Sequence, residues 1–483
     1  MANQKAAMDF GKGPIGSLLM RSVLPLLAAQ LLNLLYNIVD RIYIARIPGC
    51  GQESLAGLGL CFPLITIMTA FINLFSSGGA SLAAIAWGEK RIQKSQKIMN
   101  TSFYLLVFGS LILGGLGLLF SRSLLVLFGA DEAMLQYSLS YLRIYLCGSL
   151  FSFISLGLNP FFNAQGRFLT GMASILIGAF CNIVLDPIFI FVLNLGINGA
   201  AIATVIAQIL AAIFAFCQMR SKNSFWRIEP FSRMFCSWSI ISDITSLGLA
   251  GFIMQLTNSA VQIVQNQVLI NIGGNEYVTV MTIVNSVRQI TDTVVFAMAD
   301  GTSPLISYCY GAGLYARLKK LIRIMTGMLC SYTLLMWILI LLVPDAFVAL
   351  FDSGTGLRDA AVHGMNIYFF AYIFQALQYS GQTVFKAMNK KKQAIFFSLF
   401  RKVVIVVPLI YLLPHVWTPP VYGVFASEPI SNVIGGLACL LPCISRFIAD
   451  WIQKPESICG LSAVDANPLE SIPLLIYFRR FLC

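Results

Sequence analysis

Apolar stretches of about 20 residues recur from one end of this chain to the other, and they constrain its fold more than any other feature. A helix of that length crosses a hydrocarbon core of roughly 30 Å. Hydrophobic residues make up 58% of the chain and charged residues 11%. Hydropathy this continuous indicates helices, because barrel strands alternate in polarity. We predict twelve spans, at approximately 15–43, 54–80, 99–120, 136–158, 168–193, 198–219, 243–270, 277–307, 324–343, 361–384, 394–413 and 421–445.

The charge of the chain is carried mainly by loops. The formal net charge is +12, but the basic residues cluster in alternate loops instead of one domain, which argues against nucleic-acid binding. Basic loops mark the cytoplasmic side of membrane proteins. We therefore expect a multi-pass protein of the cell membrane with both termini in the cytoplasm.

The two halves of the chain repeat each other. A shift of 223 residues pairs Glu53 with Glu276, and it also pairs matched glycines and lysines at the ends of predicted spans, including Gly78 with Gly301, Gly88 with Gly311 and Lys97 with Lys320. Six spans in each half make the repeat parallel, as in transporters that rock two bundles about a central cleft. The predicted fold class is an all-α polytopic membrane protein with twelve transmembrane helices in two pseudo-symmetric six-helix lobes around a central cleft. Its regions are an N-lobe (1–219), a cytoplasmic linker (220–242), a C-lobe (243–446) and a C-terminal tail (447–483).

Several ionisable residues lie inside predicted spans. Each costs roughly 2.5–3.5 kcal/mol on insertion scales, so each requires a partner, a wet cavity or a function. Arg288 and Asp292 stand four residues apart on one helix and are expected to pair with each other, which favours a structural role. Beyond these, we expect few basic residues within the spans.

The stretch CNIVLDPIFIF at 181–191 places polar groups together in the fifth span. Asn182 and Asp186 lie on one helical face, and Pro187 frees a backbone carbonyl one turn earlier. These oxygens suit a small cation or a proton. The next span opens with GINGAAIAT, whose small residues allow close helix approach, and it carries Thr204.

Four segments together resemble the multidrug and toxic compound extrusion (MATE) family: PLLAAQLLNLLYNIVDRIYIA, NIVLDPIFIF, GINGAAIAT and VFAMADGTSPLISYCYGAG. The resemblance covers about residues 10–446. It implies a twelve-helix, two-lobe antiporter that expels organic, often cationic, compounds in exchange for H⁺ or Na⁺. It implies no cofactor and no metal beyond Na⁺ as a candidate coupling ion, and we expect a monomer.

The resemblance also implies where ligands bind. It places the ion-coupling site at Asp40, Asn182, Asp186 and Thr204, and an acid of the C-lobe at Asp300. The substrate cavity would be lined by Tyr36, Asn37, Tyr141 and Asn159. Two carboxyl groups close together in a low-dielectric cavity resist being ionised at once. Taking up the ion would then favour one packing of the lobe, and substrate would favour the other.

Two other functions are alternatives to antiport. A lipid-linked saccharide flippase of the same superfamily would share the two-lobe plan, but it would need several intramembrane arginines for a pyrophosphate. A membrane enzyme would need a catalytic set, and the chain carries neither a His-Glu-x-x-His motif nor a phosphate-binding glycine loop followed by lysine. We therefore expect no enzyme and assign no catalytic residues.

Overall fold

Helices account for nearly all of the regular structure in the part of the chain that is described. The computed structural model describes residues 9–128, 132–222, 224–230, 237–349 and 356–452, with no statement made of the side chains of Gln52, Ala133 and 440–452. Parts of the predicted linker (223 and 231–236) and most of the predicted tail (453–483) lie outside these ranges. The helices are α1 (Ile15–Ala45), α2 (Gly51–Gly88), α3 (Ile92–Leu127), α4 (Glu132–Cys147), α5 (Ser149–Ala164), α6 (Phe168–Pro187), α7 (Gly196–Arg220), α8 (Trp238–Gly311), α9 (Tyr315–Leu342), α10 (Pro344–Ala349), α11 (Arg358–Tyr368), α12 (Tyr372–Ala387), α13 (Lys391–Leu399), α14 (Val407–Leu412) and α15 (Val421–Ile452).

These helices account for the twelve predicted spans. Within the described ranges, eight helical segments are long and apolar enough to cross a membrane, and α4 with α5, which meet at a 59° bend, make a ninth. One of the eight is α8, which holds two spans because its backbone breaks at Gly274, where φ is 71°. That conformation is open mainly to glycine. The tenth predicted span corresponds to α11 and α12, and the twelfth to α15.

The backbone confirms the internal repeat. Lys90 and Gly313 both have positive φ, and so do Gly166 and Asn389; each pair is separated by the predicted 223 residues. The hydrogen bonds that close these turns also match, since Arg91 N–H donates to Ala86 O and Leu314 N–H donates to Cys309 O. Helices α5 and α12 begin and end at equivalent positions. We call α1–α7 the first half and α8–α15 the second half.

The two halves meet closely at the end of the bundle that carries the turns at 89–91, 165–167, 312–314 and 388–390, which we call the basic end. A Cβ on Gly311 would lie 2.1 Å from Ile85 O, and one on Gly88 would lie 2.3 Å from Tyr308 O. Only glycine allows two helix backbones to approach this closely. The repeat-matched Gly88 and Gly311 are therefore points at which α2 and α8 pack.

Two non-helical segments cover the basic end. Phe10 is almost fully buried among the rings of Trp87, Phe168 and Tyr308, so it touches both halves. Arg317 holds the same segment by donating to the carbonyls of Phe10, Lys12 and Gly13. After α7, residues 224–230 run along the first turns of α3, where Asn100 Oδ1 accepts the Glu229 N–H at 3.0 Å.

Candidate functional site

The polar residues of α6 and α7 form one hydrogen-bonded group. Asn182 Nδ2 donates to Asp186 Oδ1 at 3.1 Å and to Thr204 Oγ1 at 3.2 Å. All three side chains are buried, and Asp186 has no exposed surface. The amide of Asn182 therefore fixes the carboxyl group of one helix against the hydroxyl group of the next.

Local backbone geometry brings these helices together. Pro187 cannot donate a backbone hydrogen bond, and α6 ends there in a π-helical turn at Ile188–Val192. A Cβ on Gly199 would lie 2.6 Å from the backbone of Phe189, so α7 packs directly on that turn. π-Helical turns within helices are frequent at functional sites. The close approach puts Thr204 within reach of Asn182.

Asp40 comes to the same place from α1. Its carboxyl group lies within hydrogen-bonding distance of that of Asp186, and the side chain is 9% exposed. Asp40 Oδ1, Asp186 Oδ2 and Asn182 Oδ1 are buried and find no hydrogen-bond donor in the described part of the chain. Buried acceptor atoms without donors would be satisfied by a shared proton or a small hard cation.

Tyrosines surround the acid pair. Tyr36 and Tyr141 both lie close enough to Asp40 to interact with it electrostatically. Tyr141 also stacks on Tyr145, with ring centroids 6.3 Å apart and planes at 11°. Asn37 is half-buried, and its amide donates to Asn33 O at 2.6 Å. The structure thus brings Tyr36 and Tyr141 to the predicted ion site, while Asn37 sits one residue further along α1.

Asn159 lies at a different level of the membrane. Its Oδ1 is 3.1 Å from where a Cβ on Gly171 would lie, near the start of α6. Gly171 and Asp186 are 15 residues apart on that helix, which is about 22 Å at 1.5 Å per residue. Asn159 is therefore remote from the acid pair, and a cavity containing both would have to run most of the length of α6.

Asp300 is far from the acid pair in sequence and belongs to the second half. It lies in the part of α8 that follows the break at Gly274. Its side chain is exposed, and Lys386 of α12 is near enough to interact with it electrostatically. Its environment therefore differs from that of Asp40 and Asp186, which are buried together.

The second half contains a second polar cluster, of which the sequence predicts only the pairing of Arg288 with Asp292. The predicted pairing of Arg288 with Asp292 is confirmed, with Nε and Oδ2 3.2 Å apart. The expectation of few basic residues within the spans is wrong, because Arg401 and Lys402 are both buried in the eleventh span. Both contact Glu428, at 2.5 Å and 3.2 Å. We call Arg288, Asp292, Arg401, Lys402 and Glu428 the second-half charge cluster.

A signal for this cluster was present in the sequence. The segment FSLFRKVVIVV at 397–407 places two adjacent basic residues in the middle of an apolar run, too far from either end for both to reach water. Glu428, at a similar depth in the next span, was the acid that could balance them. The residues come from three different helices, so their contact depends on tertiary packing.

Known proteins resemble this chain over most of its length. A Staphylococcus aureus protein described as multidrug export protein MepA is 23% identical over 432 residues, covering 89% of this chain and 94% of that protein. The Staphylococcus haemolyticus protein of the same name is 22% identical over 428 residues, covering 87% and 92%.

Solved structures show the same fold. An outward-facing multidrug resistance MATE family transporter of the MOP superfamily superposes with a TM-score of 0.85 at 22% identity, covering 91% of this chain and 97% of that one. A MOP superfamily transporter from Pyrococcus furiosus, described as having a binding pocket of reversed polarity, gives 0.86 at 22% identity, covering 92% and 98%. A twelve-helix, two-lobe fold is the architecture of these transporters. The MatE family profile matches residues 25–188 and 251–412. This chain therefore belongs to the MatE family.

Proposed function

We propose that the chain is a secondary active antiporter that exports organic, often cationic, compounds in exchange for H⁺ or Na⁺ by alternating access. The observation that carries the proposal is the buried contact of Asp40 with Asp186, braced by Asn182 and Thr204. The multidrug export proteins of the two Staphylococcus species, which match along nearly their whole length, support the same function.

The acid pair provides a means of coupling. Desolvation and mutual repulsion both oppose ionising Asp40 and Asp186 together. Uptake of a proton or a cation removes that cost and favours the packing of α1 against α6 in which the two carboxyl groups meet. Loss of the ion favours their separation. A substrate that binds the separated arrangement better would then compete with the ion, and the coupling must be reciprocal.

The neighbouring aromatic residues suit organic cations. Tyr36 and Tyr141 offer ring faces beside two carboxyl groups, an arrangement that attracts a flat cation through cation–π and charge interactions. Asn37 is the proposed lining residue next to them, and Asn159 would line the same cavity only at its far end, near the start of α6. Asp300 is the proposed acid of the C-lobe. The proposed lobes are the N-lobe (1–219) and the C-lobe (243–446), joined by the linker.

The proposed movement is a rocking of the two halves. Their close packing at the basic end shuts that side, and opening it would expose the cleft to the other face of the membrane. We assign the basic end to the cytoplasm on the basis of its lysines and arginines, with both termini on that side and the chain acting as a monomer in the cell membrane.

A lipid-linked saccharide flippase remains the rival function, because Arg401 and Lys402 are buried in the second half and Arg288 is partly buried beside them. Two of their three positive charges are balanced by Asp292 and Glu428. The remaining single charge is too little for a pyrophosphate, so we favour antiport.

The experiment is dye transport in proteoliposomes. Purified full-length protein is reconstituted, and uptake or release of the cationic dye rhodamine 123 is followed under an imposed pH gradient and, separately, an imposed Na⁺ gradient. We expect one of the two gradients to drive transport in the wild-type protein, and Asp40→Asn and Asp186→Asn each to abolish it.

A matched control is Asp359→Asn, which changes an exposed aspartate in the first turn of α11. This variant should transport at the wild-type rate. If Asp186→Asn, correctly reconstituted, transported dye under either gradient as well as the Asp359 variant does, the proposed ion-coupling site would be wrong.

A further inference from the structure

The second-half charge cluster is organised around one carboxylate oxygen. Glu428 Oε1 contacts Arg401 Nη2 at 2.5 Å, Lys402 Nζ at 3.2 Å and Arg288 Nη2 at 3.4 Å. Glu428 itself is 1% exposed. Three cations thus share a single acceptor atom in the interior of the bundle.

The second carboxylate of the cluster is already saturated. Asp292 Oδ1 accepts from the Tyr372 hydroxyl at 2.8 Å and from Gln375 Nε2 at 3.0 Å, while its Oδ2 faces Arg288. Asp292 therefore neutralises Arg288, and its ion pair in the described part of the chain is with Arg288. Glu428 is left to balance both Arg401 and Lys402, so the cluster has one positive charge in excess when Lys402 is protonated. Uncompensated buried charge is costly.

A small cleft opens beside the two unbalanced cations. It is lined by Met254, Asn258, Gln378, Tyr379, Gln382, Ser398, Arg401 and Lys402. Ser398, Arg401 and Lys402 are each more than nine-tenths buried, and Ser398 Oγ and Arg401 Nε find no hydrogen-bond partner within the described part of the chain. Lys402 has three N–H donors and uses one on Glu428. The cleft wall therefore contains spare donors together with spare positive charge.

The backbone is irregular at this point. Arg401 and Lys402 belong to a π-helical segment, Phe400–Val406, between α13 and α14. A π-helical turn shifts side chains out of the regular helical register, and such turns are frequent at functional sites. Here both long cationic side chains lie in that turn, and both line the cleft.

From this geometry we propose that the cleft between α8, α12 and the π-helical segment binds the carboxylate group of an organic substrate. A carboxylate carries one negative charge, which matches the excess of one positive charge. A phosphate group carries about two at neutral pH and would reverse the imbalance. The carboxylate accepts from Lys402, and Ser398 and Arg401 supply further N–H and O–H donors around it.

This inference rests on the proposed export function and adds a substrate class to it. The acid pair of the first half suits a cationic group, and the second-half cleft suits an anionic one. The proposed substrates therefore include organic compounds that carry both a cationic group and a carboxylate, and compounds that carry a carboxylate alone, as well as organic cations.

The test compares two dyes that share one ring system. Rhodamine 110 has a free carboxylate, and rhodamine 123 is its methyl ester. Binding of each dye to the purified full-length protein in detergent is measured by fluorescence anisotropy. We expect Lys402→Gln to weaken binding of rhodamine 110 about tenfold or more, because a charged hydrogen bond is lost, and to leave rhodamine 123 unchanged.

Two variants serve as controls. Lys402→Arg keeps the charge and should retain most of the affinity for rhodamine 110, which a role in packing alone would not predict. Lys392→Gln removes an exposed lysine from α13 and should bind both dyes as the wild-type protein does. Lys402→Gln leaves Glu428 in contact with Arg401 and Arg288, so it should fold.

The outcomes separate this inference from the proposed function. If rhodamine 110 fails to bind the wild-type protein, or if Lys402→Gln binds it as tightly as the wild-type protein, the carboxylate site is refuted, and rhodamine 123 transport still tests the antiporter. An equal loss of both dyes in Lys402→Gln would also refute it, because the effect would not depend on the carboxylate.

Discussion

Replacing Glu428 with glutamine tests whether the second-half charge cluster stabilises the fold. The variant keeps the size of the side chain but removes its charge from contact with Arg401, Lys402 and Arg288. Breaking a buried ion pair by removing one partner costs about 3–5 kcal/mol. Because Arg288 keeps Asp292 as a partner, we expect a loss near the lower end, about 3 kcal/mol.

The measurement is the apparent melting temperature of the full-length protein in detergent. We expect Glu428→Gln to melt several degrees below the wild-type protein. Glu276→Gln changes an exposed glutamate and should melt at the same temperature as the wild-type protein. The double variant Glu428→Gln with Lys402→Gln restores the original charge excess and should recover at least about 1 kcal/mol. A single variant as stable as the wild-type protein, or a double variant less stable than the single one, would refute this account of the cluster.

Two further changes test the ion site and the packing of the halves. Thr204→Val removes the hydroxyl that accepts from Asn182 at 3.2 Å, so gradient-driven dye transport should fall. Thr204→Ser keeps a hydroxyl and should retain transport. Equal transport rates in both variants would contradict the role of the hydroxyl. Gly311→Val would place a Cβ 2.1 Å from Ile85 O, so transport should be lost. Gly327→Val, where a Cβ meets open space, should transport normally. A Gly311→Val variant that transports would show that this contact is dispensable.

Much of the fold was predictable because it depends on local patterns. The spans follow from apolar runs, and the repeat follows from matched residues that the backbone places at equivalent turns, such as Lys90 and Gly313. The sequence did not show that repeat-matched Gly88 and Gly311 lie where α2 meets α8, because a contact between helices leaves no periodic trace in either helix.

The site was predictable in part for the same reason. Asn182 and Asp186 are four residues apart, so helical geometry alone places them together. Their contact with Asp40 required a family resemblance, since α1 and α6 are distant in sequence. The grouping of Arg401 with Glu428 and Arg288 had neither a local spacing nor a familial motif to reveal it, and it emerged only from the packing of three helices.

The burial of Phe10 has a consequence for the speed of the proposed transport cycle. Its ring contacts Trp87 and Phe168 from the first half and Tyr308 from the second. Separating the halves at the basic end therefore has to break aromatic contacts worth about 0.5–1.5 kcal/mol each. The short segment before α1 thus adds to the activation barrier of opening. The strength of its aromatic contacts would therefore help to set the rate at which the cleft changes access from one side of the membrane to the other.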